Sequence, residues 1–321
     1  MFANFWVQKN NAATHPSPPL HRWWAGHNGD SEWGYSEDNG ANWVGMDNTS
    51  YASASYVPAD CSYGLVSGLN WTVFGGAATK AGFNTAVAGW PETADANFSK
   101  IMRHSDGKLY AAGNDGLYVS TDADHTGDSF SMHATIIGTT MFDLAMSSNT
   151  WLIPNVNGTW VTTDAGANCH LRDSSDGMMA SQHYSACIVG STLWVGGANG
   201  IAKSTDSGAN WTVYTTTNGL CTNRTTGLAY DSVNARLWAA SYDATNGGLS
   251  YTDDNGANWN HIHLTNSKLL NGISFIDHRL YVWAEVASGN AIAYSDDHGA
   301  NWTYVASIGI NVVHLFVSAR T

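Results

Sequence analysis

Ser204-Thr-Asp206-Ser-Gly208-Ala-Asn-Trp211 decides how the rest of the chain is read, because the same eight positions recur along its length. Aligned on Asp and Gly, the other copies are Ser36-Glu-Asp38-Asn-Gly40-Ala-Asn-Trp43, Thr162-Thr-Asp164-Ala-Gly166-Ala-Asn-Cys169, Thr252-Asp-Asp254-Asn-Gly256-Ala-Asn-Trp259 and Ser295-Asp-Asp297-His-Gly299-Ala-Asn-Trp302. A further copy, Ser120-Thr-Asp122, has a longer loop that reaches Gly127 and Phe130. Trp43 and Phe130 are 87 residues apart, about twice the usual step, so a degenerate unit belongs between them. Gly75-Gly76 precede Trp90 as Gly196-Gly197 precede Trp211, which places its turn at Thr85–Trp90. Anchors at 43, 90, 130, 169, 211, 259 and 302 then define seven units.

Each unit repeats one strand grammar. The clearest runs Gly227-Leu-Ala-Tyr-Asp231, Arg236-Leu-Trp-Ala-Ala240, Gly248-Leu-Ser-Tyr251, the Asp turn, then Trp259-Asn-His-Ile262. These are four short β runs bounded by turn residues, here called strands A to D. A period of 40–45 residues with four strands is that of a β-propeller blade, and no segment holds the 3.6 periodicity of a helical solenoid. The prediction is an all-β chain: one seven-bladed propeller of four-stranded antiparallel blades over residues 22–321. The tail Ile310-Asn-Val-Val-His-Leu-Phe-Val317 reads as an A strand that closes the ring. Residues 1–21, with Phe2–Gln8 and the Pro-rich Thr14–Leu20, then form an arm that docks on a neighbour or adds an outermost strand.

The turn has a physical reading. Gly accepts positive φ where other residues meet a steric cost, while the Asp carboxylate and Ser/Thr hydroxyl bond nearby backbone groups at the hairpin end. The Trp is expected to fold back between adjacent blades as a packing staple. In these features the chain resembles the Asp-box, or BNR-repeat, propellers: sialidases, xyloglucanases, sortilin-type receptors and photosystem assembly factors. The likeness runs from about Arg22 to Trp302. It implies a structural role for Ser36, Asp38, Gly40, Trp43, Ser120, Asp122, Asp164, Gly166, Ser204, Asp206, Gly208, Trp211, Asp254, Gly256, Trp259, Ser295, Asp297, Gly299 and Trp302. It also implies that ligands meet the opposite face, made by the B–C and D–A loops.

Composition narrows the partners. The chain has 321 residues, with 15 Trp, 14 Tyr and 12% charged residues, which suits a turn-rich β protein with a weakly charged surface. Net charge is −13, with 26 acids against 13 bases and no basic cluster, so neither nucleic acid nor an anionic membrane is an expected partner. No run of about 18 apolar residues suggests a membrane span, and the first residues lack a secretory signal pattern. Cys61, Cys169, Cys187 and Cys221 have no C-x-x-C spacing and are expected to be reduced, with Cys61 and Cys221 the best-placed pair if any bridge forms.

Candidate chemistry is thin. The family's sialidases imply three clamping Arg, a Tyr–Glu nucleophile pair and an Arg-Ile-Pro motif; the motif is absent, and Arg22, Arg236 and Arg279 share the B-strand start with Lys108. Recurrence at that position points to turn chemistry, leaving Arg103, Arg172 and Arg224. A glycoside hydrolase needs two facing carboxylates. The ligand-face loops offer Asp173, Asp176, Asp243 and Glu285, beside Tyr51, Tyr56, His183 and Tyr184. Tyr among Ser, Gly and Asn in Met46–Ser62, Leu171–Tyr184 and Tyr214–Thr226 suits an adaptable binding surface. His261-x-His263 puts two imidazoles on one strand face, read as surface histidines before a metal site. No catalytic residue, metal or cofactor is assigned.

Two functions follow from this. The first is a non-catalytic assembly module of a bacteriophage virion, a tail or capsid-surface protein made in the host cytoplasm, which would contact other virion proteins or its own copies through the arm. The second is a secreted carbohydrate-active protein, glycoside hydrolase or lectin, whose signal was trimmed.

Overall fold

The computed structural model describes residues 5–7, 23–27, 33–36, 44–46, 63–66, 71–74, 98–106, 108–113, 115–120, 130–264, 269–276, 278–285, 292–305 and 312–317. The chain forms two compact units, residues 1–138 with 314–321, and residues 139–313. Among the described residues the strands fall into seven sheets.

In the first unit, β1 (Phe5–Val7) pairs antiparallel with β5 (Tyr63–Val66), and β5 with β6 (Trp71–Phe74). Residues 5–7, read from sequence as an arm or an outermost strand, are therefore a strand beside β5, with Phe5 opposite Leu65. A second sheet has the order β27-β2-β3-β4, comprising Val312–Val317, Trp23–His27, Trp33–Ser36 and Val44–Met46. The C-terminal strand thus neighbours β2. A third sheet is the meander β7 (Phe98–Arg103), β8 (Leu109–Gly113), β9 (Gly116–Ser120) and β10 (Phe130–Ile137). Arg22, the turn residues Asp38, Gly40, Trp43 and Asp122, and the degenerate turn at Thr85–Trp90 lie outside the described residues, as does Cys61.

The second unit holds four consecutive meanders of four strands. They are β11 (Ala145–Met146) to β14 (His170–Arg172) with β12 (Trp151–Asn155) and β13 (Gly158–Thr162) between; and β15 (His183–Val189), β16 (Thr192–Gly197), β17 (Gly200–Ser204) and β18 (Thr212–Tyr214). Next come β19 (Thr225–Asp231), β20 (Arg236–Ser241), β21 (Leu249–Thr252) and β22 (Asn260–Ile262), then β23 (Leu269–Ile276), β24 (Arg279–Glu285), β25 (Ile292–Ser295) and β26 (Thr303–Tyr304).

Small residues let the first strands of neighbouring sheets approach closely. A Cβ built on Gly227 of β19 would stand 2.9 Å from Gly272 Cα and from Ile273 N of β23, both backbone atoms. The largest packing load falls on second strands: Trp151, Trp194 and Trp238 are 1%, 2% and 0% exposed. Trp194 meets Tyr214 of its own sheet and Trp259 of the next, with ring centroids 6.0 and 6.2 Å away. One cluster joins Trp194, Ile201, Leu237, Ala239 and Trp259 across that boundary. The other turn tryptophans, Trp211 and Trp302, are only half-buried at the edges of their clusters.

The four recurring turns among the described residues share one Ser/Thr–Asp–Asn geometry, although Trp259 Nε1 finds no acceptor. In the copy ending at Trp211, Ser204 Oγ donates to Asp206 Oδ1 (2.8 Å) and accepts from the Gly208 N–H (2.9 Å). Asp206 Oδ1 accepts from the Asn210 N–H and Oδ2 from Asn210 Nδ2, at 2.9 and 2.7 Å. Trp211 Nε1 then donates to Gly208 O at 3.1 Å. Where Trp is replaced by Cys169, the thiol donates to Gly166 O at 3.4 Å and closes the turn in the same way. Two consecutive residues have positive φ, the second being the Gly: Ser207 at 63° and Gly208 at 86°, Asn255 at 58° and Gly256 at 90°. Positive φ before the Gly and the Asn that saturates the carboxylate are features the sequence pattern contains but does not explain.

Cys221 is free of any disulfide; its sulfur accepts from Ser250 Oγ at 3.2 Å. Cys169 and Cys187 are also free.

Candidate functional site

Strand direction sorts the loops onto two ends of each sheet. Strand β20 runs from Arg236, beside the Asp turn, to Ser241, and β19 runs from Thr225 to Asp231. Arg224 and Tyr242 therefore share the end opposite the Asp turns.

At the Asp-turn end the charged groups are paired. The Arg236 guanidinium grips Asp253 with two bonds, Nε to Oδ1 at 2.5 Å and Nη2 to Oδ2 at 3.0 Å, and stacks on Tyr251 at 4.1 Å. Arg279 repeats this with Asp296 and Tyr294. Lys203 donates to Asn255 O at 2.7 Å over Trp194. His298 Nδ1 lies 2.7 Å from Asp231 Oδ2, whose carboxyl is 0% exposed, and so ties one sheet's turn to the preceding sheet. Hydrogen bonds from the Asn210 side chain and N–H hold Asp206 at about 2, and the same Asn contacts hold Asp164, Asp254 and Asp297 there.

At the opposite end, several residues read as ligand contacts make hydrogen bonds within the fold. Asp173 caps a 3-10 turn at Ser174–Asp176, its Oδ1 accepting from the Ser175 N–H and Oγ, both at 2.7 Å. These bonds hold its carboxyl below the ordinary value. Asp176 accepts from Arg172 Nη1 at 2.8 Å and from the Asp173 N–H. His183 is 0% exposed between Thr159 Oγ1 (2.8 Å) and Met179 O (3.0 Å), and burial lowers its pKa. It is a core histidine, because a strand start packed under a loop leaves it no route to solvent. Asp243 Oδ1 accepts from the N–H groups of Thr245 and Asn246 at 2.9 and 2.8 Å. Glu285 ends β24 opposite Leu269. Tyr51 and Tyr56 lie outside the described residues.

Two of the D–A loops, those after β14 and β18, lie among the described residues and hold capped turns. Thr215 caps a second 3-10 turn, Thr216–Asn218, with the same reciprocal capping as Asp173, and Gly177 and Gly219 end both turns at positive φ. Met178, Met179 and Leu220 then enter the core.

What the structure does bring together is Tyr184, Arg224 and Tyr242. Tyr184 is the extra residue of a β-bulge at the start of β15, between His183 and Ser185; bulges also open β7, β19 and β23. A bulge re-aims one side chain out of the ladder. Arg224 lies with its guanidinium 4.4 Å from the Tyr242 ring centroid and 5.6 Å from that of Tyr184. Tyr184 OH donates to Gln182 Oε1 at 2.8 Å, and its ring meets Phe142 edge-on at 5.4 Å. Arg224 Nε is buried without a hydrogen-bond partner, and no carboxylate pairs with this guanidinium among the described residues. Leaving such a donor unmet costs about 1–3 kcal/mol. In the sequence Arg224 stands only as one of the remaining arginines and Tyr242 carries no mark; its place directly after a B strand is the available signal.

No family model matches the chain, and no curated protein does. Similar solved structures do exist. The extracellular domain of the one-component system BT4673 from B. thetaiotaomicron superposes with TM-score 0.54 at 17% identity, over 68% of this chain and 29% of that one. An ancestral GH74 enzyme gives 0.52 at 13% identity, over 92% of this chain and 38% of that one. YCF48 bound to D1 peptide gives 0.50 at 18% identity, over 68% of this chain and 69% of that one. The fold is a β-propeller. The propeller spans roughly a third of the length of the BT4673 domain and of the GH74 enzyme. Among the described residues of the propeller, no helix is long and apolar enough to cross a membrane, and no three His, Cys, Asp or Glu side chains gather as a metal site. The His261 and His263 rings stand 6.4 Å apart on the surface.

Proposed function

We propose that this chain is an extracellular carbohydrate-recognising propeller of the Asp-box type, which binds its ligand on the face bearing Tyr184, Arg224 and Tyr242. The observation that carries this reading is the aromatic–guanidinium stack on rigid loops, opposite the structural turns. Aromatic rings with polar edges present apolar area and hydrogen bonds together, as a sugar requires. The BT4673 extracellular domain and the GH74 enzyme support an extracellular, carbohydrate-directed setting over the virion role read from composition.

Binding is favoured over hydrolysis, because a glycosidase needs two facing carboxyl groups, one held protonated. Asp173, Asp176 and Asp243 instead accept bonds from their own loops or from Arg172. The order β27-β2-β3-β4 supports seven blades closed by the C-terminal strand, and end-on class averages by electron microscopy test it.

A glycan array combined with a reducing-sugar assay tests the function. Glycan capture without release of reducing ends is the expected outcome. A blank array overturns the reading, and steady product release makes the protein a hydrolase instead.

A further inference from the structure

We propose that His261 and His263 form a two-histidine site for a borderline divalent cation of the Cu2+, Ni2+ and Zn2+ class, independent of what the loop face binds. Both residues are exposed, and they stand on and just beyond β22, the edge strand of its sheet. Side chains two apart on an extended chain share one side, and these rings lie 6.4 Å apart between centroids with their planes at 45°. The repeat supplies a comparison. Counted from the last residue of each Asp turn, the same two places hold Leu171 and Asp173, Val213 and Thr215, and Tyr304 and Ala306. Leu171, Val213 and Tyr304 are half-buried, while Asp173 and Thr215 cap the 3-10 turns. The fold is therefore built at these places without an imidazole, and only this one of the four copies carries the pair.

His263 is already held for the task. Its Nδ1 lies 3.4 Å from Gly247 O, and a carbonyl only accepts, so Nδ1 carries the proton and Nε2 keeps its lone pair. A ring N–H given to a backbone carbonyl is the arrangement that stands behind most metal-bound histidines, because it fixes the tautomer and orients the ring. The ring also rests on the glycine that precedes β21: a Cβ built on Gly248 would stand 3.4 Å from His263 Nδ1. Metal–nitrogen bonds of about 2.0–2.1 Å bring two rings on one ion to a centroid separation of about 5 Å. His261 closes that difference by a swing of roughly 1–2 Å, open to an exposed side chain with staggered rotamers. Imidazole nitrogens select Cu2+, Ni2+ and Zn2+ over Mg2+ and Ca2+, which take oxygen donors. No third His, Cys, Asp or Glu joins the pair among the described residues, so water takes the remaining positions on the ion.

The test titrates the full chain, free of any affinity tag, with the chlorides of Cu2+, Ni2+, Zn2+, Mg2+ and Ca2+ at neutral pH. Calorimetry reads affinity, and imidazole 15N NMR with Zn2+ reads the ligands. Cu2+ should bind most tightly, Mg2+ and Ca2+ should give no heat, and Zn2+ should shift His263 Nε2 and a ring nitrogen of His261 together. His261→Ala and His263→Ala should each weaken Cu2+ binding by about tenfold or more, because a chelate then loses its second donor. The NMR titration uses the unaltered protein, so it does not depend on either variant folding. No binding of the three transition metals overturns the site. So do unchanged affinity in both variants, shifts confined to others of the 13 histidines, and a response of one ring without its neighbour. None of these outcomes bears on glycan capture, which the array reads separately.

Discussion

At the residue scale, the Asp turn shows how a short motif concentrates hydrogen bonds. Asp206 makes two bonds to Asn210 and one to Ser204, which explains why its pKa falls to about 2 from 3.8. A carboxyl whose pKa is depressed on folding stabilises the fold above its unfolded value, and this contribution is withdrawn as pH falls through the folded value. Four such turns should make melting temperature drop most steeply between about pH 4 and 2. Asp206→Asn should give a shallower decline, measured by thermal melts across that range; identical pH profiles would contradict the assignment. Burial separates the tryptophans. Trp238→Ala should cost about 3–5 kcal/mol in urea unfolding, and the half-buried Trp211→Ala roughly half as much. Gly256→Ala adds strain at φ 90° and sets a Cβ 3.0 Å from both Trp194 and Tyr214, for a loss of about 1–3 kcal/mol.

At the element scale, the four-strand grammar was legible. The run Gly227–Asp231, Arg236–Ala240, Gly248–Tyr251 and Trp259–Ile262 anticipates β19 to β22 within a residue or two at each end. Alternation, turn residues and the repeat all act over short stretches of chain, so sequence carries them. The bulges at Tyr184 and Thr226 were not legible, because an extra residue in a ladder shows only against its partner strand. Thr226 illustrates this: its Oγ1 donates to Leu270 O of the next sheet at 2.6 Å. The close approach of β19 and β23 predicts that Gly227→Val destabilises by more than about 2 kcal/mol, since backbone atoms must move to admit the side chain. Chemical denaturation would check it, and a neutral result would show that the two strands separate freely.

At the scale of the whole molecule, the tail strand beside β2 ties the end of the chain to its beginning. Truncation after Val305 removes β27 and exposes the edge of β2, so hydrogen exchange in residues 23–46 should accelerate at least tenfold while residues 139–285 keep their protection. Unchanged exchange in 23–46 would mean that β27 contributes little to that sheet.

By itself the sequence determined the repeat, the four-strand unit, the turn chemistry and the propeller class, because each depends on neighbours within one hairpin. It also contained every arginine and tyrosine of the candidate site. Which arginine among the described residues lacks an acid was decided only by tertiary structure. Arg236 finds Asp253 across one hairpin, whereas Arg224 sits between a tyrosine from the preceding sheet and one from the far end of β20. Tertiary packing likewise gives His183, Asp173 and Asp176 partners inside the fold, through a buried ring and a capped turn. Pairing of charges depends on which loops meet in space, and a linear pattern does not encode that meeting.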